Sequence, residues 1–254
     1  MLREKLGTPV TNEDFMAYIA AVAANPAYTA RFQADLSTPG LRIPITADPK
    51  AFSEAVELGR NIVWLHTFGE RMADPDHGRP HGPPRLPAAQ QPKIPKDGGI
   101  PTSPDAMPDT ITYDLNKKRL LIGGGYVENV PPAVWKYEVS GKQVLLHWFS
   151  YRKKNRDRPI IGDRRPPSPL GNLQPNHWLA EYTTELINVL NVLGCLVGLE
   201  PAQAKLLERI CSGPTLCADE LRAAGAFDTA PAPDALHETK HEPDLFTTKS
   251  AARP

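Results

Sequence analysis

The chain has 254 residues, 41% of them hydrophobic, which suffices for one large domain or two small ones around a real core. Its 29 Lys and Arg balance its 29 Asp and Glu. A net charge of zero excludes a globally basic protein, so affinity for a polyanion has to come from local clustering.

The opening MLREKLGTPVTNEDF has no apolar segment, so no signal peptide is expected. Asn12 is expected to cap a helix over 13–24, where Phe15, Tyr18, Ile19 and Val22 recur at helical spacing. Asn25-Pro26 reads as a second cap with proline at the first helical position, and that helix is expected to reach about Leu36. Asp48-Pro49 repeats the signal. The helix it opens carries Phe52, Val56, Ile62, Val63 and Leu65 and is expected to end near Met72. Ten of the 28 prolines fall within 74–108. Proline fixes φ and lacks an amide donor, so this stretch reads as extended loop, either packed on the surface or mobile.

The pattern then switches to period two. Residues 110–114, 119–122, 126–130, 134–139 and 143–151 read as strands, with turn chemistry at Asn116-Lys117 and Ser140-Gly141. Their contiguity predicts an antiparallel meander. Trp135, Tyr137, Val139, Val144, Leu146 and Trp148 are expected to pack on the sheet, with Leu146 and Trp148 facing the core. A basic, proline-containing loop covers 152–176. A long amphipathic helix is expected over 178–199, with Leu179, Tyr182, Leu186, Val189, Leu190, Leu193 and Val197 on one face. Glu181 and Glu185 favour its positive end. Glu200-Pro201 reads as the start of another helix, closed near Cys211 by Gly213 in the C′ position. From about Ala226 the composition predicts disorder. No run of about 18 uninterrupted apolar residues occurs, so no membrane span is expected.

The expected fold is α+β: N-terminal helices, a central, mainly antiparallel sheet, C-terminal helices and a disordered C-terminal tail. By parts, 1–73 is helical, 74–108 is the proline-rich loop, 109–213 is a β-rich core with C-terminal helices, and 214–254 is mostly disordered tail.

Four local motifs carry candidate chemistry. Asn25-Pro26-Ala27-Tyr28 resembles the Asn-Pro-Pro-Tyr motif of DNA amino-methyltransferases, but helical sequence precedes it and helix capping is the reading preferred. Gly123-Gly124-Gly125 is flanked by strands, which favours a turn or bulge over a phosphate loop. His77 and His81, and His237 and His241, have metal-compatible spacing on a helix only, and neither pair sits in helical sequence. Cys195, Cys211 and Cys217 have no metal spacing and read as reduced thiols of a cytoplasmic protein.

The basic cluster stands apart. Arg152, Lys153, Lys154, Arg156, Arg158, Arg164 and Arg165 lie within fifteen residues that hold only two acids, Asp157 and Asp163. Such a cluster is either a solvated surface face or a nucleic-acid contact, since Lys and Arg neutralise phosphates with counterion release and Arg reads guanine edges.

The run PPAVWKYEVSGKQVLLHWFSYRKK resembles the C-terminal specificity region of type ISP restriction-modification enzymes. So do DFMAYIAAVAANPAYTARF, AVELGRNIVWLHTFGERM, MPDTITYDLNKKRLLIGGGYVENV and HWLAEYTTELINVLNVLGCLVGLEPAQAKLLERIC, and the likeness extends over roughly 14–213. The resemblance implies a whole enzyme with a nuclease, an ATP-driven translocase, a coupler, an N6-adenine methyltransferase and a target-recognition domain. Only the last matches this chain. S-adenosylmethionine, ATP and Mg2+ would then belong to domains not found in it, and no cofactor is expected here. The implied partners are double-stranded DNA and a methyltransferase or translocase polypeptide, with no membrane. The expected function is sequence-specific DNA recognition without a catalytic site, as a separately encoded specificity subunit. The expected contacts are Ser150, Tyr151, Arg152, Lys153, Lys154, Asn155, Arg156, Arg158, Arg164 and Arg165. The alternatives are a module that docks on a methyltransferase without touching DNA, a remnant of a split gene, and a methyltransferase of unusual form.

Overall fold

The computed structural model describes residues 2–38, 42–154 and 174–225. It is α+β. The N-terminal part is helical: α1 (Leu2–Leu6), α2 (Asn12–Ala23), α3 (Pro26–Arg31) and α4 (Pro49–His66). Thr11, not Asn12, caps α2. Its hydroxyl accepts from the Asp14 amide while the Asp14 carboxylate accepts from the Thr11 amide, a reciprocal capping box. Asn25 caps α3 as expected, with its side chain accepting from the Tyr28 amide at 3.1 Å and donating to the Val22 carbonyl at 2.9 Å. Asp48 caps α4. Both later helices stop short of the expected ends. After α4 the chain takes positive φ at Phe68 (52°) and Met72 (56°), which a helix cannot accommodate.

Helices α2 and α4 touch backbone to backbone. A Cβ on Gly59 would lie 1.7 Å from the Ala17 carbonyl oxygen, and Ala17, Ala21, Ala51 and Ala55 are all buried. Beside this crossing Tyr18 stacks on Phe52 at 4.8 Å. Its hydroxyl donates to the Pro44 carbonyl at 2.7 Å and accepts from the Thr46 amide at 3.0 Å. Burial pushes the Tyr18 phenol up to about 12.

The proline-rich segment is a packed strap. Arg79, only 3% exposed, anchors its start: Nε donates to the Met72 carbonyl, and the guanidinium reaches Glu57, Asn61 and Asp74. The Trp64 indole donates to the Pro80 carbonyl. Further along, Lys93 and Glu128 form a single antiparallel bridge, which lays the strap along the sheet edge.

The sheet is a meander of β1 (Ile111–Asp114), β2 (Arg119–Ile122) and β3 (Gly125–Val127), antiparallel in that order. Asp114 Oδ1 accepts from the Asn116 and Lys117 amides at the first turn. The glycine triplet forms the second, with Gly123 at φ 54°. Ile111, Leu120, Ile122 and Val127 face the core.

Beyond β3 the expected strands give way to other structure. Residues 134–139 contain the end of α5 (Pro132–Lys136) and β4 (Glu138–Val139). Residues 143–151 contain the end of β5 (Lys142–Gln143) and α6 (Val144–Ser150). Only the hairpin turn is as expected, with Ser140 and Gly141 at φ 52° and 72°. Val144, Leu145, Trp148 and Phe149 sit at helical spacing. α6 therefore buries Leu145 and Phe149 and leaves Leu146 43% exposed, which reverses the expectation for Leu146, while Trp148 is half-buried and packs against the core as expected. Val139 is also exposed.

Helix α7 (Ala180–Ser212) is continuous through Pro201, not two helices. Proline removes one backbone hydrogen bond, but Leu190, Leu193 and Leu196 before it and Leu206, Leu207 and Ile210 after it are buried in one core, and that packing overrides the break. Gly213 ends α7 at φ −92°, so no left-handed C′ glycine is involved. α7 packs on α2, α3, α4 and α5. It is long and apolar enough to cross a membrane, yet its buried polar residues are committed to protein contacts: Asn191 to the Leu86 amide, Gln203 to the Ala21 and Ala24 carbonyls. Past α7, Thr215 pairs with Thr46 and α8 (Ala218–Ala223) forms, so the first part of the expected disordered tail is ordered. The rest, from 226, lies outside the described residues.

Two outcomes are expected. Gly59→Ala gains up to ~1 kcal/mol of helix propensity but drives Cβ into the Ala17 carbonyl; overpacking costs ~1–3 kcal/mol or more and wins. A lowered denaturant midpoint for this variant is the check. Tyr18, neutral in the fold, ionises near 10 when unfolded and about 12 when folded. Stability present below pH 10 should fall by roughly 2–3 kcal/mol as pH rises to 12. Tyr18→Phe should flatten this fall in denaturation curves taken from pH 9 to 12.

Candidate nucleic-acid interface

The basic cluster begins where α6 runs out against the start of α7. Trp178 is the anchor. It is 1% exposed, its indole donates to the Thr183 hydroxyl at 2.9 Å, and it meets Trp148, Phe149 and Tyr182 at ring distances of 6.2, 6.3 and 5.4 Å. This aromatic corner fixes the end of α6 and the four residues that follow.

Of the expected contact residues, Ser150 bonds back to the His147 carbonyl at 2.6 Å and closes the helix. Tyr151 is 58% exposed and meets His147 edge-on. Arg152 turns inward. Its guanidinium lies 4.4 Å from the Trp148 ring centroid and 5.6 Å from that of Tyr182. Nε and Nη2 reach Glu185 Oε2 at 2.9 and 2.7 Å, and Nη1 donates to the Trp148 carbonyl. All three guanidinium nitrogens are thus engaged within the fold, so Arg152 is neither a solvated surface charge nor a free nucleic-acid contact.

Lys153 and Lys154 point the other way. Lys153 Nζ is 3.7 Å from Asp109 Oδ1, with both side chains a third or more exposed, so water weakens that pair. The Lys154 amide donates to the Pro108 carbonyl at 2.8 Å, tying the loop to the end of the strap, and its exposed ammonium reaches the Asp105 carbonyl at 3.5 Å. Asn155, Arg156, Arg158, Arg164 and Arg165 lie outside the described residues.

The aromatic corner was not visible as a unit in the sequence. One signal was there: read as a helix, 144–150 places Trp148 and Arg152 four apart, the spacing of a cation stacked on a ring. Glu185, expected only to favour the α7 N-terminus, is the partner of Arg152.

Elsewhere the motifs are structural. Asn25-Pro26-Ala27-Tyr28 is a cap, and the Tyr28 hydroxyl donates to the Arg42 carbonyl. His77 pairs with Asp74, and among the described residues no three His, Cys, Asp or Glu gather as a metal site. The three cysteines are free; burial pushes the Cys195 thiol up, away from thiolate reactivity.

Residues 1–189 match the model of the Type ISP C-terminal specificity domain. The chain belongs to that family. No curated protein matches the sequence. Among solved structures, similarity is found to a DrdV–DNA complex, at 16% identity and a TM-score of 0.46, over 84% of this chain and 19% of that one. A nuclease-deletion mutant of the Type ISP restriction-modification enzyme LlaGI, in complex with a DNA substrate mimic, is similar at 16% identity and a TM-score of 0.43, over 79% of this chain and 14% of that one. The chain thus spans less than a fifth of each of these proteins. The family match begins at residue 1 and ends inside α7, where the resemblance read from the sequence began near 14 and ran to 213.

Two substitutions should separate scaffold from surface. Arg152→Gln should cost roughly 2 kcal/mol, since it loses the ring stack and the bonds to Glu185 and the Trp148 carbonyl together. Lys153→Gln with Lys154→Gln should stay within about 0.5 kcal/mol per site. Thermal melts of both variants are the check.

Proposed function

We propose that this chain recognises a double-stranded DNA target on behalf of a methyltransferase- and translocase-bearing polypeptide of a Type ISP restriction-modification system. It carries no reaction of its own. S-adenosylmethionine, ATP and Mg2+ are handled by that partner, and the setting is the cytoplasm.

The observation that carries the reading is the division of the basic cluster. Arg152 is held by Trp148, Tyr182 and Glu185, while at the same corner Lys154 is exposed and Lys153, partly exposed, has only a long, water-weakened pairing to Asp109. A held cation orients the backbone; the exposed ones meet phosphates. Phosphate contacts fix the register of a protein on a duplex, and sequence is read by groups placed over base edges once that register is set. Tyr151 supplies a further contact, and so do Arg156, Arg158, Arg164 and Arg165, which follow it in the sequence. The domain family's own designation as a specificity domain agrees with this role.

The full chain should bind duplex DNA weakly and with a slope of log K against log salt of about −3 to −5, corresponding to ~3–6 phosphate contacts. Fluorescence anisotropy from 50 to 300 mM salt measures it. Binding that ignores salt, or none at the lowest salt, defeats the proposal and leaves a docking module that does not touch DNA.

A further inference from the structure

The outer face of the sheet bears a second cationic group. By register Asp114, Arg119, Glu128 and Lys93 form one row across β1, β2, β3 and the strap. The first three members of that row are used internally. Asp114 holds the turn amides, Arg119 pairs with Glu128, and Arg119 also lies 4.3 Å over the Tyr126 ring. The Tyr126 hydroxyl in turn donates to Asp97 at 2.6 Å. The three acids of this face therefore have partners already. Lys117 and Lys118 at the β1–β2 turn, and Lys93 beside it, are exposed, and their ammonium groups form no hydrogen bond or ion pair among the described residues.

Lys118 is placed at a conformational cost. Its φ is 51°, in the left-handed region, where a side chain other than Gly, Asn or Asp costs ~1–2 kcal/mol. Among the described residues its side chain makes no hydrogen bond or ion pair that would offset this.

The position of this group relative to the first one is set by the sheet. The β1–β2 turn is at one end. Gly123 and Pro108 are at the other, where the Lys154 amide donates to the Pro108 carbonyl and Lys153 lies near Asp109. From Pro108 to Asp114, where the turn begins, is six residue steps of extended chain, a span of ~20 Å at ~3.3 Å per residue. The major groove of B-form DNA is about 12 Å wide between phosphate surfaces, so phosphorus atoms that face each other across it are ~18 Å apart.

We propose that Lys117 and Lys118, with Lys93, form a second phosphate-binding point, which holds the duplex backbone across one groove from Lys153 and Lys154. The inference rests on the DNA-recognition reading and adds to it the far side of the footprint. It identifies the short sheet as the spacer that sets which groove edge is spanned.

The test uses the full chain and a duplex of about 30 base pairs, read by anisotropy across a salt series. Three variants are compared with the wild type: K93Q/K117Q/K118N, with asparagine chosen because it tolerates positive φ; the charge-retaining K117R/K118R; and K153Q/K154Q. The first should melt like the wild type, flatten the salt slope by about 2, and weaken binding at 0.15 M salt about ten- to a hundredfold for every duplex sequence. K117R/K118R should keep the wild-type slope. A wild-type slope in K93Q/K117Q/K118N, with K153Q/K154Q flattened, overturns the second binding point and leaves the DNA reading intact. A wild type that binds no duplex at low salt overturns both.

Discussion

The arrangement depends on α7 remaining one helix. Its N-terminal end carries Tyr182 and Glu185 against the corner of α6, its middle carries Asn191 against the strap, and beyond Pro201 it carries Gln203 against the α2 C-terminus. A break at Pro201 would let the α2–α4 pair move independently of the strap and the corner. The lost hydrogen bond is worth about 1 kcal/mol net. Seven buried leucine and isoleucine side chains, four before it and three after, at ~1.5–3 kcal/mol each, outweigh it. Three regions distant in sequence are thereby held in one frame.

That frame explains why a segment with ten prolines is ordered. Proline-rich chain has few amide donors, so it cannot satisfy itself with secondary structure. Here the donors and acceptors of its neighbours do it instead: Arg79 at its start, the Trp64 indole on Pro80, Asn191 on Leu86, and Asn129 on the Ala89 and Gln91 carbonyls. The strap then delivers Lys93 to the sheet edge and Pro108 to the lysine corner. Both cationic groups thus depend on the same segment.

What could be read from the sequence was what is decided locally. The caps at Asn25 and Asp48 and the turns at Asn116-Lys117 and Ser140-Gly141 act within four residues, and all were legible. The stretch 143–151 was not. Its aromatics and Val144 favour a strand, its Leu145–Phe149 spacing fits a helix, and a run so short is settled by which face finds a partner. The partner is Trp178, some thirty residues on. Pro201 misled for the same reason: a start signal by local rules, overruled by a core assembled from elsewhere. The inward turn of Arg152 follows from Glu185 and Tyr182, so composition alone counted it with the surface cations.

Zero net charge acquires a meaning in this setting. Most arginines in the described residues are neutralised within the fold, as Arg31, Arg60, Arg79, Arg119, Arg152 and Arg209 are by Glu or Asp. The lysines at the two ends of the sheet are the contrast, with only Lys153 among them near an acid in the described residues, Asp109 at 3.7 Å. Arginine's planar fork holds geometry, while lysine offers a mobile point charge that a phosphate can meet without fixed alignment. A chain balanced overall has no long-range field to draw it to any polyanion. Under the proposed function its attraction is confined to the distance between two small groups. A duplex that presents phosphates at that spacing is held, and one contact made without the other gives little. Spacing, set by the short strands and the residues that flank them, then fixes the register on the duplex before any base is read.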